Sequence, residues 1–67
     1  MIELLINGES RSFPAPLSLA RLVETLDLAG KRIAIERNGA IVPKSRHADT
    51  QLVSGDRLEI VVAVGGG

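Results

Sequence analysis

The sequence predicts an α+β domain, a mixed sheet of four to five strands with one main helix laid across one face. Three observations carry this. Ile2, Leu4 and Ile6 fall on one side of a period-two pattern; Leu19, Leu22, Val23 and Leu26 recur at the i, i+3, i+4, i+7 spacing of one helical face; and five of the six residues from Glu59 to Val64 are apolar, as in a strand at the middle of a sheet. Neither a lone helix nor a sheet can bury its apolar side by itself, so the helix must cover the sheet. With 67 residues there is room for one such domain, near the size where apolar burial only just outweighs chain entropy.

Each element has a local cause. The first strand runs into Asn7-Gly8, the dipeptide that best tolerates positive φ at both centres of a type I′ turn, and so opens a hairpin. The returning strand, ESRSF, is less regular. A two-residue turn places Glu9, Arg11 and Phe13 on the face of the three apolar residues, which only Phe13 suits, so either the loop is longer or Arg11 lays its stem along the core. Pro14 and Pro16 close that strand. Ser18 then offers a hydroxyl to the free amides of a first helical turn, and Leu17 with Leu22 stands at the two ends of a hydrophobic staple. The helix is expected over residues 19 to 28, ended by Gly30, with Asp27 unfavourably close to the negative end of its dipole. RIAIER alternates as a third strand, Asn38-Gly39 turns it into the short run AIVP, and Pro43 stops that run because it has no N–H to give a ladder. KSRHADTQ reads as a loop with at most one helical turn, Leu52 pins it to the core, and Gly55 centres a turn into RLEIVVAV. This last strand is expected to be central and covered on both faces. Placing it parallel beside the first strand, with the hairpins outward, gives the β-grasp arrangement of ubiquitin-like domains.

Composition removes several classes of function. Without cysteine there is no disulfide, thiolate nucleophile or Cys-ligated metal, and no set of His and carboxylate residues has ligand spacing. Eight basic and eight acidic residues cancel, and Phe13 is the single aromatic residue, so nucleic-acid binding has neither charge nor stacking platform. The charge is unevenly spread, however. Residues 31 to 50 carry five Lys or Arg against two acids, which reads as a solvated or partner-facing surface. MIELLIN already reads as a strand, and no stretch is long enough to span a membrane, which points to a cytoplasmic protein. His47, with Asp49 two residues on, has no nucleophile to serve and is expected to be an exposed loop histidine. No catalytic residue is assigned. The closing glycines cannot cradle a phosphate in the usual way, since such loops lead into a helix.

There remains the end of the sequence itself. Three glycines, Gly65, Gly66 and Gly67, follow the most strand-like stretch, where they contribute nothing to stability. Residues 1–64 are accordingly expected to form the domain and residues 65–67 a flexible tail. A strand that aims this tail out of the sheet extends it by roughly 10 Å of bare backbone, thin enough for a channel in which any Cβ would collide.

AIERNGAIVPKS, the turn SGDRLEIV and the final GGG together resemble the ThiS family of thiamine-biosynthesis sulfur carriers, over essentially the whole chain. The glycine end alone is shared with ubiquitin-like proteins and the molybdopterin-synthase small subunit, whereas IVPKS, Ile41 to Ser45, is more specific. The resemblance implies a carrier and not an enzyme. A ThiF-like adenylating enzyme uses ATP to convert the Gly67 carboxylate into an acyl-adenylate; sulfur from a donor protein, originating in cysteine, displaces AMP to leave a thiocarboxylate; and a ThiG-like thiazole synthase takes the sulfur. On this reading Gly65 and Gly66 thread into the partner, Gly67 is modified, and no cofactor or metal is bound. The alternatives are a molybdopterin-type carrier and a ubiquitin-like interaction module whose tail is never activated. Gly65 is a third glycine where some members have two.

Overall fold

A computed structural model of the chain, which describes residues 1–63, shows a five-stranded mixed sheet with one helix across one face. The strands are β1 (Ile2–Ile6), β2 (Glu9–Phe13), β3 (Ile33–Arg37), β4 (Ala40–Ile41) and β5 (Arg57–Val62), and the helix is α1 (Leu19–Thr25). Their order across the sheet is β2-β1-β5-β3-β4. β1 and β5 are parallel neighbours, and every other pairing is antiparallel. This is the β-grasp arrangement that the apolar runs at the two ends of the sequence imply.

The first hairpin has a two-residue turn, with Asn7 and Gly8 at φ 49° and 83° and Ile6 opposite Glu9. Arg11 therefore does stand opposite Leu4, on the core side of an edge strand. Its guanidinium lies 5.7 Å from the centre of the Phe13 ring while the side chain stays exposed, so it covers the edge of the core without entering it. α1 begins as its sequence dictates: the Ser18 hydroxyl accepts from the Arg21 N–H, and Leu17 and Leu22 are both buried. It ends three residues earlier than the spacing predicts. Asp27, not Gly30, takes the left-handed position at φ 60°; its N–H donates to Glu24 O and the Leu28 N–H donates to Val23 O, the paired bonds of a Schellman motif. Leu26 and Leu28 still pack on the core from outside the helix, which is why the apolar spacing outruns it.

Core side chains come from one face of each strand and from α1: Leu4, Leu19, Leu22, Ile35 and Leu58 are essentially inaccessible. β5 is central but covered on one face only. Val61 is 64% exposed, opposite Ala34, and Glu59 lies opposite Glu36 on the same open face. The run Ile60 to Val62 hides this alternation because its outward residue is itself apolar. Between β4 and β5, a 3-10 turn at Lys44–Arg46 leads to His47. That histidine is buried, contrary to the expectation of an exposed loop residue: its Nε2 donates to Val42 O at 3.0 Å, and its own carbonyl accepts from the Ala20 N–H in the first turn of α1. A residue that ties a loop to both β4 and the helix cannot stay in solvent.

Candidate functional site

Gly65, Gly66 and Gly67, the residues to which the sequence assigns threading and modification, lie outside the described residues, as does Val64. The structure instead defines the root from which they depart. β5 delivers the chain to Ala63, whose N–H donates to Arg32 O at 2.8 Å. On this side β5 is held along its length by β3, from Arg37 opposite Leu58 to Ile33 opposite Val62.

Its other edge is held differently. The parallel β1–β5 register covers only Leu5 with Arg57 and Ile6 with Leu58, because at Asn7 the backbone turns away into the hairpin. The Asn7 side chain continues the ladder in place of backbone: its Nδ2 donates to Ile60 O at 3.1 Å and its Oδ1 accepts from the Ile60 N–H at 2.7 Å. One amide side chain thus satisfies both peptide groups of a residue three positions before the root.

The start of β5 is fixed by a second polar cluster. Asp56 is buried, and its carboxylate accepts from Val53 N–H, Asn38 Nδ2 and Arg37 Nε at 2.9 to 3.1 Å, with Arg37 Nη2 also in ion-pair contact at 2.9 Å while it donates to Gln51 O. Burial by itself pushes this carboxyl group up, but the bonds from Val53, Asn38 and Arg37, with the guanidinium charge, outweigh it and hold Asp56 below the usual carboxylate range. Asn38 also accepts from the Arg57 N–H at 2.9 Å. Neither this cluster nor the role of Asn7 emerges from the sequence reading, in which both Asn-Gly dipeptides mark only turns.

A cleft of about 440 Å³ opens beside the root on the β3 side. Ile33, Val61 and Ala63 supply apolar surface, and Lys31, Arg32 and Lys44 bring cations from two separate segments of chain. His47 lines it as well. Since the Val42 carbonyl can only accept, His47 Nε2 carries a hydrogen. Among the described residues no group of three or more His, Asp or Glu could hold a metal ion, and no helix is long and apolar enough to cross a membrane.

A family model described as the ThiS family matches residues 4–67, nearly the whole chain and through the final glycine. The chain belongs to the ThiS family. Members of this family are small sulfur carrier proteins. A crystal structure of a thiamine biosynthesis protein, ThiS, from Geobacter metallireducens superposes with a TM-score of 0.82 at 25% identity, covering 98% of this chain and 100% of that one. Among sequence relatives, a thiazole synthase of Paramagnetospirillum magneticum is 44% identical over 66 residues, 98% of this chain but 20% of that protein. The uncharacterised protein ycf40 of Porphyra purpurea is 41% identical over 66 residues, again 98% of this chain and here 93% of the relative. The chain therefore spans about a fifth of the length of the thiazole synthase and nearly all of ycf40.

Proposed function

We propose that this ThiS-family chain carries sulfur for thiazole formation in thiamine biosynthesis, as a co-substrate of other enzymes. The Gly67 carboxylate attacks the α-phosphorus of ATP in an adenylating enzyme, a bond forms from carboxylate oxygen to phosphorus, and pyrophosphate leaves. A hydrosulfide equivalent from a sulfur donor protein then attacks the acyl carbon and AMP leaves, so that Gly67 ends in a thiocarboxylate. Thiazole synthase consumes that sulfur. A carboxylate resists nucleophiles until its oxygen becomes a good leaving group, and a glycine acyl carbon is the least shielded one a protein offers. Gly65 and Gly66 supply a stem with no Cβ. A carrier body without cysteine cannot capture the sulfur itself.

The observation that supports this reading is the family match running through Gly67 on a body whose central strand leads towards the glycines. The similarity to a much longer thiazole synthase supports the choice of thiazole formation as the destination. The test uses the wild type, a deletion of Gly67 and an extension by one alanine, each incubated with ATP, a ThiF-like adenylating enzyme and a sulfur donor. Removing Gly67 withdraws the carboxylate by roughly 3.5 Å, and the extension displaces it as far the other way and adds a Cβ. Intact masses should show oxygen-to-sulfur exchange in the wild type alone. Equal exchange in all three proteins, or none in the wild type beside an enzyme that is active on another carrier, would overturn the reading.

A further inference from the structure

Lys31 and Arg32 precede β3, Lys44 begins the 3-10 turn, and the fold brings all three to the cleft at the root of the tail. They account for three of the five cations in the basic segment of residues 31 to 50. The opposite charge collects elsewhere: Glu36 and Glu59 face each other on the open side of the sheet. Ala34 and Val61, the next outward-facing pair on the same side of the sheet, line the cleft, so the acidic pair adjoins its floor while the three cations stand at its rim beside Ala63.

We propose that this basic, apolar-floored cleft docks an acidic lip around the channel of the adenylating enzyme, a segment whose carboxylates meet Lys31, Arg32 and Lys44 and whose apolar side chain rests on Ala34 and Val61. The inference rests on the carrier reading. From Ala63 to Gly67 the chain reaches at most about 14 Å, so an enzyme that closes on the Gly67 carboxylate inside a site comes up against the root itself. Doing so covers the cleft rim and takes its cations out of water. A neutral or basic channel mouth would leave those charges desolvated and unpaired, whereas carboxylates at the mouth compensate them and speed encounter. The adenylating enzyme is the occupant because it must accept the free tail before any other partner can act on it. His47 lines the cleft as well, held in place by the Nε2 bond to Val42 O.

The test measures ATP–pyrophosphate exchange by the adenylating enzyme against carrier concentration, for the wild type, Lys31→Glu/Lys44→Glu, Lys31→Gln/Lys44→Gln, and Glu59→Lys on the open face. Both lysines are exposed, and circular dichroism melts establish that each variant is folded. The charge reversal should raise the KM for carrier by ~10–100-fold with kcat within about twofold, and the neutral pair by less; wild-type KM should climb with salt. Unchanged KM in the reversal variant, or a wild-type KM indifferent to salt, overturns the docking. So does an effect confined to the KM for ATP, which would mean that the cations read nucleotide phosphate. Absence of exchange with the wild type itself, beside an enzyme active on another carrier, instead removes the carrier reading.

Discussion

Replacing Asp56 by asparagine should cost this domain much of its stability. The carboxylate accepts three hydrogen bonds from three residues and pairs with the Arg37 charge, and an asparagine of the same shape offers one oxygen and turns an NH2 group towards donors. Bonds to a charged partner are worth about 1.5–3 kcal/mol each, but Arg37 keeps 30% of its side chain in solvent and recovers water when released, which lowers its share. A net loss of about 2–3 kcal/mol follows. For a chain of this length the whole stability is on the order of 3–10 kcal/mol, and each kcal/mol moves the midpoint by about 4–8 °C, so the thermal transition should fall by roughly 10–20 °C. Urea unfolding followed by circular dichroism measures it, with an unchanged m-value as the check on two-state behaviour.

Acid supplies the decisive arm of that experiment. Asp56 has its folded pKa depressed, so its contribution is complete above the ordinary carboxylate range and is lost as pH falls through the folded value. The gap between wild type and Asp56→Asn should therefore close on acidification, the wild type losing more than the variant. A gap below about 0.5 kcal/mol at neutral pH, or one that stays constant into the acid range, would refute the claim that the ionised carboxylate organises this turn.

Other outcomes follow from the same structure. Asn7→Gly keeps the left-handed turn but removes both side-chain bonds to Ile60, and should cost about 1–3 kcal/mol with faster hydrogen exchange at the Ile60 amide. Asp27→Gly suits φ 60° and removes a negative charge from the helix C-terminus, so a gain of about 0.5–1 kcal/mol in unfolding free energy, read as a higher urea midpoint, is expected. Val61→Ser on the open face should change stability by less than about 0.5 kcal/mol in the same assay, since the side chain is already mostly in water.

What the sequence discloses here is whatever periodicity and turn chemistry encode. The alternation of Ile2, Leu4 and Ile6, the stripe on α1 and the cap at Ser18 each depend on neighbours a few residues away, and each appears where expected. The helix end does not, because Leu26 and Leu28 bury themselves from a Schellman turn and so mimic another helical turn in the apolar pattern. His47 is misjudged for a related reason: its partners are a backbone carbonyl five residues back and an amide on α1, and neither leaves a mark in spacing. The cleft cations are legible as a basic segment but not as a place. Only the fold puts residues 31, 32 and 44 together beside Ala63.

The two Asn-Gly dipeptides carry the further point. A turn needs a residue that tolerates positive φ, and Asn7 and Asn38 satisfy that at φ 49° and 52°. Yet each also sends its amide to β5. Asn7 reaches Ile60 from the β1 edge, while Asn38 reaches Arg57 and Asp56 from the β3 side, so the central strand is fastened at its start and again midway by side chains from the two hairpin turns that flank it. A domain this small has little apolar surface with which to fix one strand more firmly than another. Polar bonds to specific peptide groups do so without a larger core, and the strand they fix is the one that leads towards the glycines. Replacing both asparagines by glycine preserves both turns, which makes the argument testable as a pair: the losses should fall on amide protection along β5 more than on β2 or β4, and uniform loss across the sheet would mean that the turns stabilise the fold without favouring that strand.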